Sequence, residues 1–193
     1  MIDFTAEILR REGWPAYTNL PADRGGPSKG GITLEAWREY TERPDATAAE
    51  LAEVTEDQAR AFYEFRHITA PRFDEIEDVH LRELVIDAGV HHGTRHAAKW
   101  LQWAADVKQD GRIGPVTLTA VNGADPGELY LWVCSFRLRL FGRLVSSDPE
   151  LRRAKAAGFN LQAEFRAGWN NRVAEFLEAY ARRIEAEHYN GVK

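Results

Sequence analysis

The sequence predicts a mostly α-helical fold with one small β-hairpin or loop insertion near the N-terminus. Apolar residues recur at helical spacing along most of the 193-residue chain, and no stretch shows the alternation of a long strand. Glycine and proline instead concentrate at residues 13–33, where eight of them fall within 21 positions. No regular helix survives that density of helix-breaking residues, so the insertion is expected there.

Each expected helix has a local signal of its own. The segment 3–11 is amphipathic, and Thr33 is suited to cap a helix that runs to Tyr40. Thr55 begins a capping-box sequence, and Pro115 suits the first position of a helix. Together with apolar spacing, these signals predict further helices over residues 55–65, 81–89, 97–107, 115–122, 127–145 and 169–184.

The composition excludes several classes of protein. A hydrophobic content of 44% is too high for a disordered chain, and the apolar runs are too short to span a bilayer. A single cysteine, Cys134, excludes an intramolecular disulfide and multi-cysteine zinc sites. His92 and His96 are four residues apart, but Gly93 and Thr94 between them indicate a helix boundary. Neither a metal nor another cofactor is therefore expected.

Charge is unevenly distributed along the chain. Residues 1–78 carry 9 Lys and Arg against 17 Asp and Glu, whereas residues 129–193 carry 11 against 7. The acidic first part argues against nucleic acid as a partner, because phosphate binding needs clustered cations. The basic last part either helps adhesion to an anionic polymer or is an ordinary solvated surface.

Two carboxylates and two hydroxyls are candidates for chemistry in and beside the insertion. Glu12 is expected at the C-terminal end of the first helix, directly before Gly13. The helix dipole disfavours an anion there, which favours the protonated form that a general acid needs. Asp23 follows within the glycine-rich segment, and the Ser28 and Thr33 hydroxyls are able to hold a water. An acid opposite an ionised carboxylate is the apparatus of glycoside hydrolysis; a surface Glu and a turn-forming Asp are the alternative.

The stretch from Glu12 to Thr33 resembles the N-terminal signature of glycoside hydrolase family 108, which comprises bacterial and phage N-acetylmuramidases. The resemblance implies a lysozyme-like arrangement in which Glu12 is the catalytic acid. Asp23, together with Ser28 or Thr33, would position a water on the opposite face of the sugar. The positions that match the signature directly are Asp23, Gly25, Gly26, Gly31, Ile32 and Thr33.

Three positions depart from the family pattern. Trp14 stands where a second glycine is usual, Ser28 stands for a threonine and keeps the hydroxyl, and Gly30 stands where an aromatic is common. The change at Gly30 removes a ring that would face the sugar. Trp14 or Tyr17 is expected to supply the stacking surface instead.

The rest of the chain extends the resemblance. Three segments between residues 88 and 118 resemble the peptidoglycan-binding portion of the same proteins. We therefore expect a catalytic lobe over residues 1–78 and a helical, peptidoglycan-binding lobe over residues 79–193, packed as one globular unit. For the histidines and Asp110, packing and turn formation are the alternatives to glycan contact. The candidate substrate-binding residues are Trp14, Tyr17, Gly25, Gly26, Gly31, His91, His92, Trp103 and Asp110.

The resemblance implies a peptidoglycan hydrolase that cleaves the β-1,4 bond between N-acetylmuramic acid and N-acetylglucosamine, as phage or prophage endolysins do. One alternative is a lytic transglycosylase that uses the same Glu12 without Asp23, and another is a wall-binding module without activity. The N-terminus lacks the basic and apolar regions of a signal peptide. We therefore expect a monomer that is made in the cytoplasm, released through a holin, and active on the periplasmic or cell-wall glycan strand without stable membrane insertion.

Overall fold

The computed structural model describes residues 2–19, 26–147 and 162–190, and within these ranges the chain is mostly helical. The predicted fold class is thereby confirmed. Every helix expected from the sequence is present, with small shifts at the ends. The helices are α1 (Phe4–Arg11), α2 (Leu34–Thr41), α3 (Ala48–Ala52), α4 (Glu56–Tyr63), α5 (Val79–His92), α6 (Thr94–Ala104), α7 (Pro115–Gly123), α8 (Pro126–Ser147) and α9 (Gln162–Asn190).

The glycine- and proline-rich insertion contains a small antiparallel sheet in its described part. Its three strands are β1 (Tyr17–Thr18), β2 (Ser28–Lys29) and β3 (Ile32–Thr33), with β2 in the centre. Ser28 is paired with Thr18 on one side and with Thr33 on the other. The sheet brings the end of α1 and the start of α2 together, because β1 follows the first helix and β3 leads directly into the second.

Two local features differ from the sequence prediction. Helix α3 was not expected, although Thr47 and Glu50 form a complete capping box at its start; at five residues it is too short for apolar periodicity to reveal it. The helix predicted to end at Phe65 changes at Glu64 into a π-helical segment that continues to Thr69. Such segments are inserted into α-helices and are frequent near functional sites.

The chain divides into two compact units, residues 1–95 and residues 96–193. Residues 79–95, which the sequence analysis assigned to the second lobe, therefore group with the first unit. The reason is packing: α5 contacts α1, the π-helical segment and the short turn at Phe73–Glu75. That the two lobes pack as one globular unit stays a prediction.

In the first unit, a partly buried ion cluster fastens the end of α1 to α5. The guanidinium of Arg11 donates to Asp87 (Nη1–Oδ1, 3.0 Å) and approaches Glu83 (Nη2–Oε1, 3.2 Å). Asp87 is almost completely buried, and a buried carboxylate is tolerated only when it is paired. Since Arg11 immediately precedes Glu12, this cluster holds the end of the first helix against α5.

In the second unit, α8 and α9 pack against each other. Tyr130 of α8 donates its hydroxyl to the backbone oxygen of Phe176 in α9 at 2.7 Å. The guanidinium of Arg137, which is fully buried, lies 5.4 Å from the centre of the Phe176 ring. Cys134 is buried on α8, and burial raises the pKa of its thiol to about 12. Among the residues described, no helix is long and apolar enough to cross a membrane.

Candidate active site

Glu12 is the residue at which α1 ends. Its N–H still donates to the oxygen of Ile8 (2.8 Å), while Gly13 adopts a left-handed conformation with φ +74°. The N–H of Trp14 then bonds the oxygen of Leu9 at 2.9 Å, which closes the helix in the manner of a Schellman motif. The Glu-Gly sequence thus ends the helix at a defined point and leaves Glu12 half-buried at its terminus.

The turn between β2 and β3 lies against the Glu12 side chain. Gly30 and Gly31 are its central residues, with φ +50° and φ +80°, a conformation that glycine adopts without steric cost. A Cβ added to Gly31 would lie 2.9 Å from Oε2 of Glu12 and 2.7 Å from the hydroxyl of Tyr63. Any residue with a Cβ would therefore require the carboxylate, the tyrosine or the turn to shift.

Tyr63, at the end of α4, completes this cluster. Its hydroxyl donates to the backbone oxygen of Gly30 at 2.7 Å. Burial and the negative charge of Glu12 raise the pKa of the Tyr63 hydroxyl far above its usual range, so it remains a protonated donor. Tyr63 was not predicted as a site residue, because it belongs to an ordinary amphipathic helix and only the fold brings it to Glu12.

Trp14 and Gly30, which both depart from the family pattern, are in direct contact. A Cβ on Gly30 would lie 2.6 Å from Cε3 of Trp14, so the indole occupies the space that a side chain at residue 30 would need. Lys29 lies beside the same ring, with Nζ 5.2 Å from its centre, and its amine donates to the backbone oxygens of Ala52 and Val54. The two departures are therefore complementary: one ring is lost at residue 30 and another is gained at residue 14.

The predicted hydroxyl residues lie on the sheet beside this cluster. The oxygens of Ser28 and Thr18 are 2.9 Å apart across β1 and β2. Thr33 caps α2 by accepting the N–H of Ala36 at 3.2 Å, as the sequence predicted. Tyr17 is exposed, with its hydroxyl 3.4 Å from the oxygen of Ala48.

Two predicted site residues, Asp23 and Gly25, lie outside the described part of the chain. Gly26 is described and has φ +69°. The roles of these three residues in catalysis and substrate binding stay predictions.

His91 and His92 lie in the last turn of α5, just before Gly93. Both are half-buried, and their rings meet edge to face with centres 4.7 Å apart. This arrangement is compatible with the packing alternative, and substrate contact by either histidine stays a prediction.

In the second unit, Asp110 belongs to a turn organised by a buried glutamine. The side chain of Gln102 donates to Oδ1 of Asp110 and to the oxygen of Arg112, both at 2.9 Å, and accepts the N–H of Gly111 at 2.8 Å. Hydrogen bonds from Gln102 and from the Arg112 N–H lower the pKa of the Asp110 carboxyl. These contacts give Asp110 a clear structural role; glycan contact by its exposed side chain stays a prediction.

Trp103, the other candidate in this unit, is 43% exposed on α6. It lies beside Trp132 and Phe136 of α8. Both of these rings are half-buried.

His67 gives the first unit a pH-dependent stability. Burial, together with the charge of Arg66, lowers the pKa of His67 from 6.5 to about 4, although a hydrogen bond to the backbone of Gly89 opposes the change. The unfolded chain therefore takes up a proton near pH 6.5, whereas the folded protein takes it up only near pH 4. We therefore expect His67 to favour the folded state fully above pH 6.5, and we expect this contribution to the free energy of unfolding, about 3 kcal/mol, to be lost as the pH drops from 6.5 to 4.

We expect His67→Phe to remove this dependence, because phenylalanine keeps a ring beside Phe62 and Tyr63 and binds no proton. Urea unfolding of both proteins at pH 7.5 and pH 4.5 measures the effect. The free energy of unfolding should fall less between the two pH values in the variant than in the wild type. An equal loss of stability in the wild type and the variant would show that other groups cause it.

The comparisons with known proteins agree with this division of the chain. Residues 5–93 match the family described as "Glycosyl hydrolase 108", and residues 96–174 match the family described as "Predicted Peptidoglycan domain". Among solved structures, Brucella abortus SagA aligns with a TM-score of 0.67 and 24% sequence identity, over 93% of this chain and 94% of that chain; this likeness concerns the fold. No curated protein matches the chain.

The first family match spans Glu12, the Gly30–Gly31 turn and Tyr63, and the second spans the Gln102 turn and Trp103. Both resemblances expected from the sequence motifs are therefore confirmed. Residues 5–93 therefore form a glycoside hydrolase family 108 domain, and the chain is a glycoside hydrolase that acts on peptidoglycan.

Proposed function

We propose that the enzyme is an N-acetylmuramidase that hydrolyses the β-1,4 bond between N-acetylmuramic acid and N-acetylglucosamine, with Glu12 as the general acid. The observation that carries this proposal is the placement of the Glu12 carboxylate at a helix end against the Gly30–Gly31 turn. The absence of a side chain at Gly31 lets the turn and the Tyr63 hydroxyl lie close to the carboxyl group and fix its surroundings.

In the proposed reaction, Glu12 donates its proton to the glycosidic oxygen as the bond to the anomeric carbon breaks. Asp23, with Ser28 or Thr33, activates a water that attacks the opposite face of the sugar. Inversion at the anomeric carbon follows if the carboxyl groups of Glu12 and Asp23 lie about 6.5–9.5 Å apart, whereas about 5 Å would give retention. Trp14 and Tyr17 are proposed to provide the surface on which a sugar ring stacks.

Mass spectrometry of the released muropeptides tests this reaction against its main alternative. Hydrolysis adds a water and leaves a reducing N-acetylmuramic acid, whereas a lytic transglycosylase leaves a 1,6-anhydro ring and adds none. Asp23→Ala separates the same two reactions, because only hydrolysis needs a group that activates water. Anhydro products, or full activity of Asp23→Ala, would argue for the transglycosylase.

Tyr63 is proposed to hold the turn in place beside Glu12. We expect Tyr63→Phe to lower kcat by about tenfold with little change in KM, because a small shift of the turn misplaces the reacting groups. It should also lower stability by about 1–3 kcal/mol, since the buried oxygen of Gly30 loses its donor. The measurement is steady-state kinetics on purified peptidoglycan together with thermal unfolding.

The matched control for Tyr63→Phe is Tyr40→Phe. Tyr40 belongs to the neighbouring aromatic cluster with Trp37 and Phe62, so the substitution makes the same chemical change away from Glu12. If Tyr63→Phe loses stability but keeps its kcat, Tyr63 supports only the fold.

The route of the enzyme to the cell wall and its oligomeric state are also part of the proposal. We expect the enzyme to reach the wall from the cytoplasm through a holin-type pore, as an endolysin does, and to act as a monomer. Expression in bacteria with and without a holin tests the first expectation, because lysis without the pore would contradict it. Analytical ultracentrifugation tests the second.

A further inference from the structure

Three aromatic side chains form a half-exposed cluster on the second unit, here called the aromatic platform. Trp103 of α6 meets Trp132 and Phe136 of α8 edge to face, with ring centres 5.0 Å and 4.8 Å apart. The rings of Trp132 and Phe136 are themselves nearly parallel, at 6.1 Å. The indole of Trp103 remains 43% exposed, which leaves a large apolar surface in contact with water.

Two cations flank the aromatic platform. Lys99 precedes Trp103 by one turn of α6, and Arg139 follows Phe136 by three residues on α8, so helical spacing puts each cation on the face of its helix that carries the ring. The second unit as a whole also carries a positive net charge. Residues 96–193 carry 14 Lys and Arg against 11 Asp and Glu, whereas residues 1–95 carry 11 against 19.

We propose that the aromatic platform of the second unit binds the glycan strand of peptidoglycan. The apolar face of a pyranose ring stacks on Trp103, and Trp132 and Phe136 hold the indole in place from the side. Lys99 and Arg139 meet carboxylates of the strand, which belong to the stem peptides or, where these have been removed, to the lactyl groups. This inference rests on the proposed function and gives the second unit the task of retaining the enzyme on its polymeric substrate.

The charge and chemistry of the surface favour a glycan strand over a second copy of the chain. Two copies would bring Lys99 and Arg139 close to their own equivalents, because a symmetric dimer places the same patch on both sides. An anionic, sugar-rich polymer offers apolar sugar faces to the rings and carboxylates to the cations. The whole aromatic platform also lies within the residues that match the peptidoglycan family.

The test measures binding of the full chain to purified, protein-free sacculi. All proteins carry Glu12→Gln so that the substrate stays intact, and bound and free protein are separated by centrifugation over a range of sacculus concentrations. We expect Trp103→Ala to weaken binding by about tenfold, as removal of a central aromatic anchor does at other interfaces. Trp103→Tyr should restore most of the affinity, because it returns an aromatic face.

Leu138→Ala is the matched control. Leu138 is 42% exposed on α8, and it lies two residues beyond Phe136, roughly 200° around the helix axis. Its loss removes a similar exposed apolar group from another face of the helix, so binding should stay at the wild-type level. Equal loss in Leu138→Ala and Trp103→Ala would overturn the proposal, because it would indicate unspecific adhesion.

Two further outcomes would also overturn it. Unchanged binding of Trp103→Ala would exclude the aromatic platform as the site, and a Trp103-dependent change in sedimentation without a change in sacculus binding would assign it to self-association. Glycan strands freed of stem peptides by an amidase identify the ligand: they should retain Trp103-dependent binding, and its loss would contradict sugar stacking. Since the binding assay needs no turnover, its failure is distinguishable from a failure of the proposed hydrolysis, which the muropeptide products report.

Discussion

Replacing Glu12 by glutamine is expected to lower the rate of glycan cleavage by about a thousandfold, because a positioned general acid contributes roughly two to four orders of magnitude. Glutamine keeps the size of the side chain but its amide does not protonate the glycosidic oxygen. Glu12 is only half-buried at the end of α1, so the fold should survive the substitution. The initial rate at which purified peptidoglycan releases reducing ends measures the effect.

A second glutamate at a helix end provides the control. Glu42 is the C-cap residue of α2 and is exposed, so Glu42→Gln makes the same change of charge at a comparable place without touching the Gly30–Gly31 turn. We expect its rate to equal that of the wild type. If Glu12→Gln cleaves as fast as Glu42→Gln, the general acid is another group.

The same pair of variants addresses the third interpretation of the sequence, a wall-binding module without activity. In that case the wild type and both variants would release no products, although all three would still bind sacculi. Release of products by the wild type and Glu42→Gln alone would support the assignment of Glu12 as the acid.

The parts of the structure that local sequence determines were predictable. Gly13 ends α1 because it adopts φ +74° directly after Glu12, and Pro115 opens α7 because its missing N–H costs nothing at the first position. Thr33 caps α2 because its hydroxyl accepts the N–H of Ala36, three residues further along the chain. Such features involve residues within one turn of each other, and their effect does not depend on the rest of the fold.

The contacts that complete the site join distant segments, and no local pattern reveals them. Tyr63 reaches Gly30 only because α4 packs on α1 beside the sheet. Likewise, Trp14 and Gly30 appear in the sequence as two separate departures from a motif, and only their contact shows that one accommodates the other. The family signature identified Glu12, whereas the fold identified its surroundings.

Replacing Gly31 by alanine is expected to inactivate the enzyme by at least about a hundredfold, because a displacement of about 1 Å at a reacting group costs that much. The added methyl group would lie 2.7 Å from the Tyr63 hydroxyl and 2.9 Å from Oε2 of Glu12. Neither distance is compatible with a methyl contact, so the turn, the tyrosine or the carboxylate must move. The φ of +80° adds a backbone cost of about 1–2 kcal/mol for any residue with a Cβ.

Gly93→Ala separates the displacement from the backbone strain. Gly93 has φ +88° and ψ 138°, a backbone conformation that also strains any residue with a Cβ. Among the residues that the structure describes, nothing lies within 4 Å of the Cβ that alanine would add. Both variants should therefore lose stability from strain, as thermal unfolding measures, while only Gly31→Ala should lose cleavage. If the two variants lost the same activity, strain alone would explain the loss and the close fit of Gly31 between Glu12 and Tyr63 would have no catalytic importance. A large difference in activity between them would show that the enzyme needs this glycine because the Glu12 carboxylate and the turn lie too close together to leave room for a side chain.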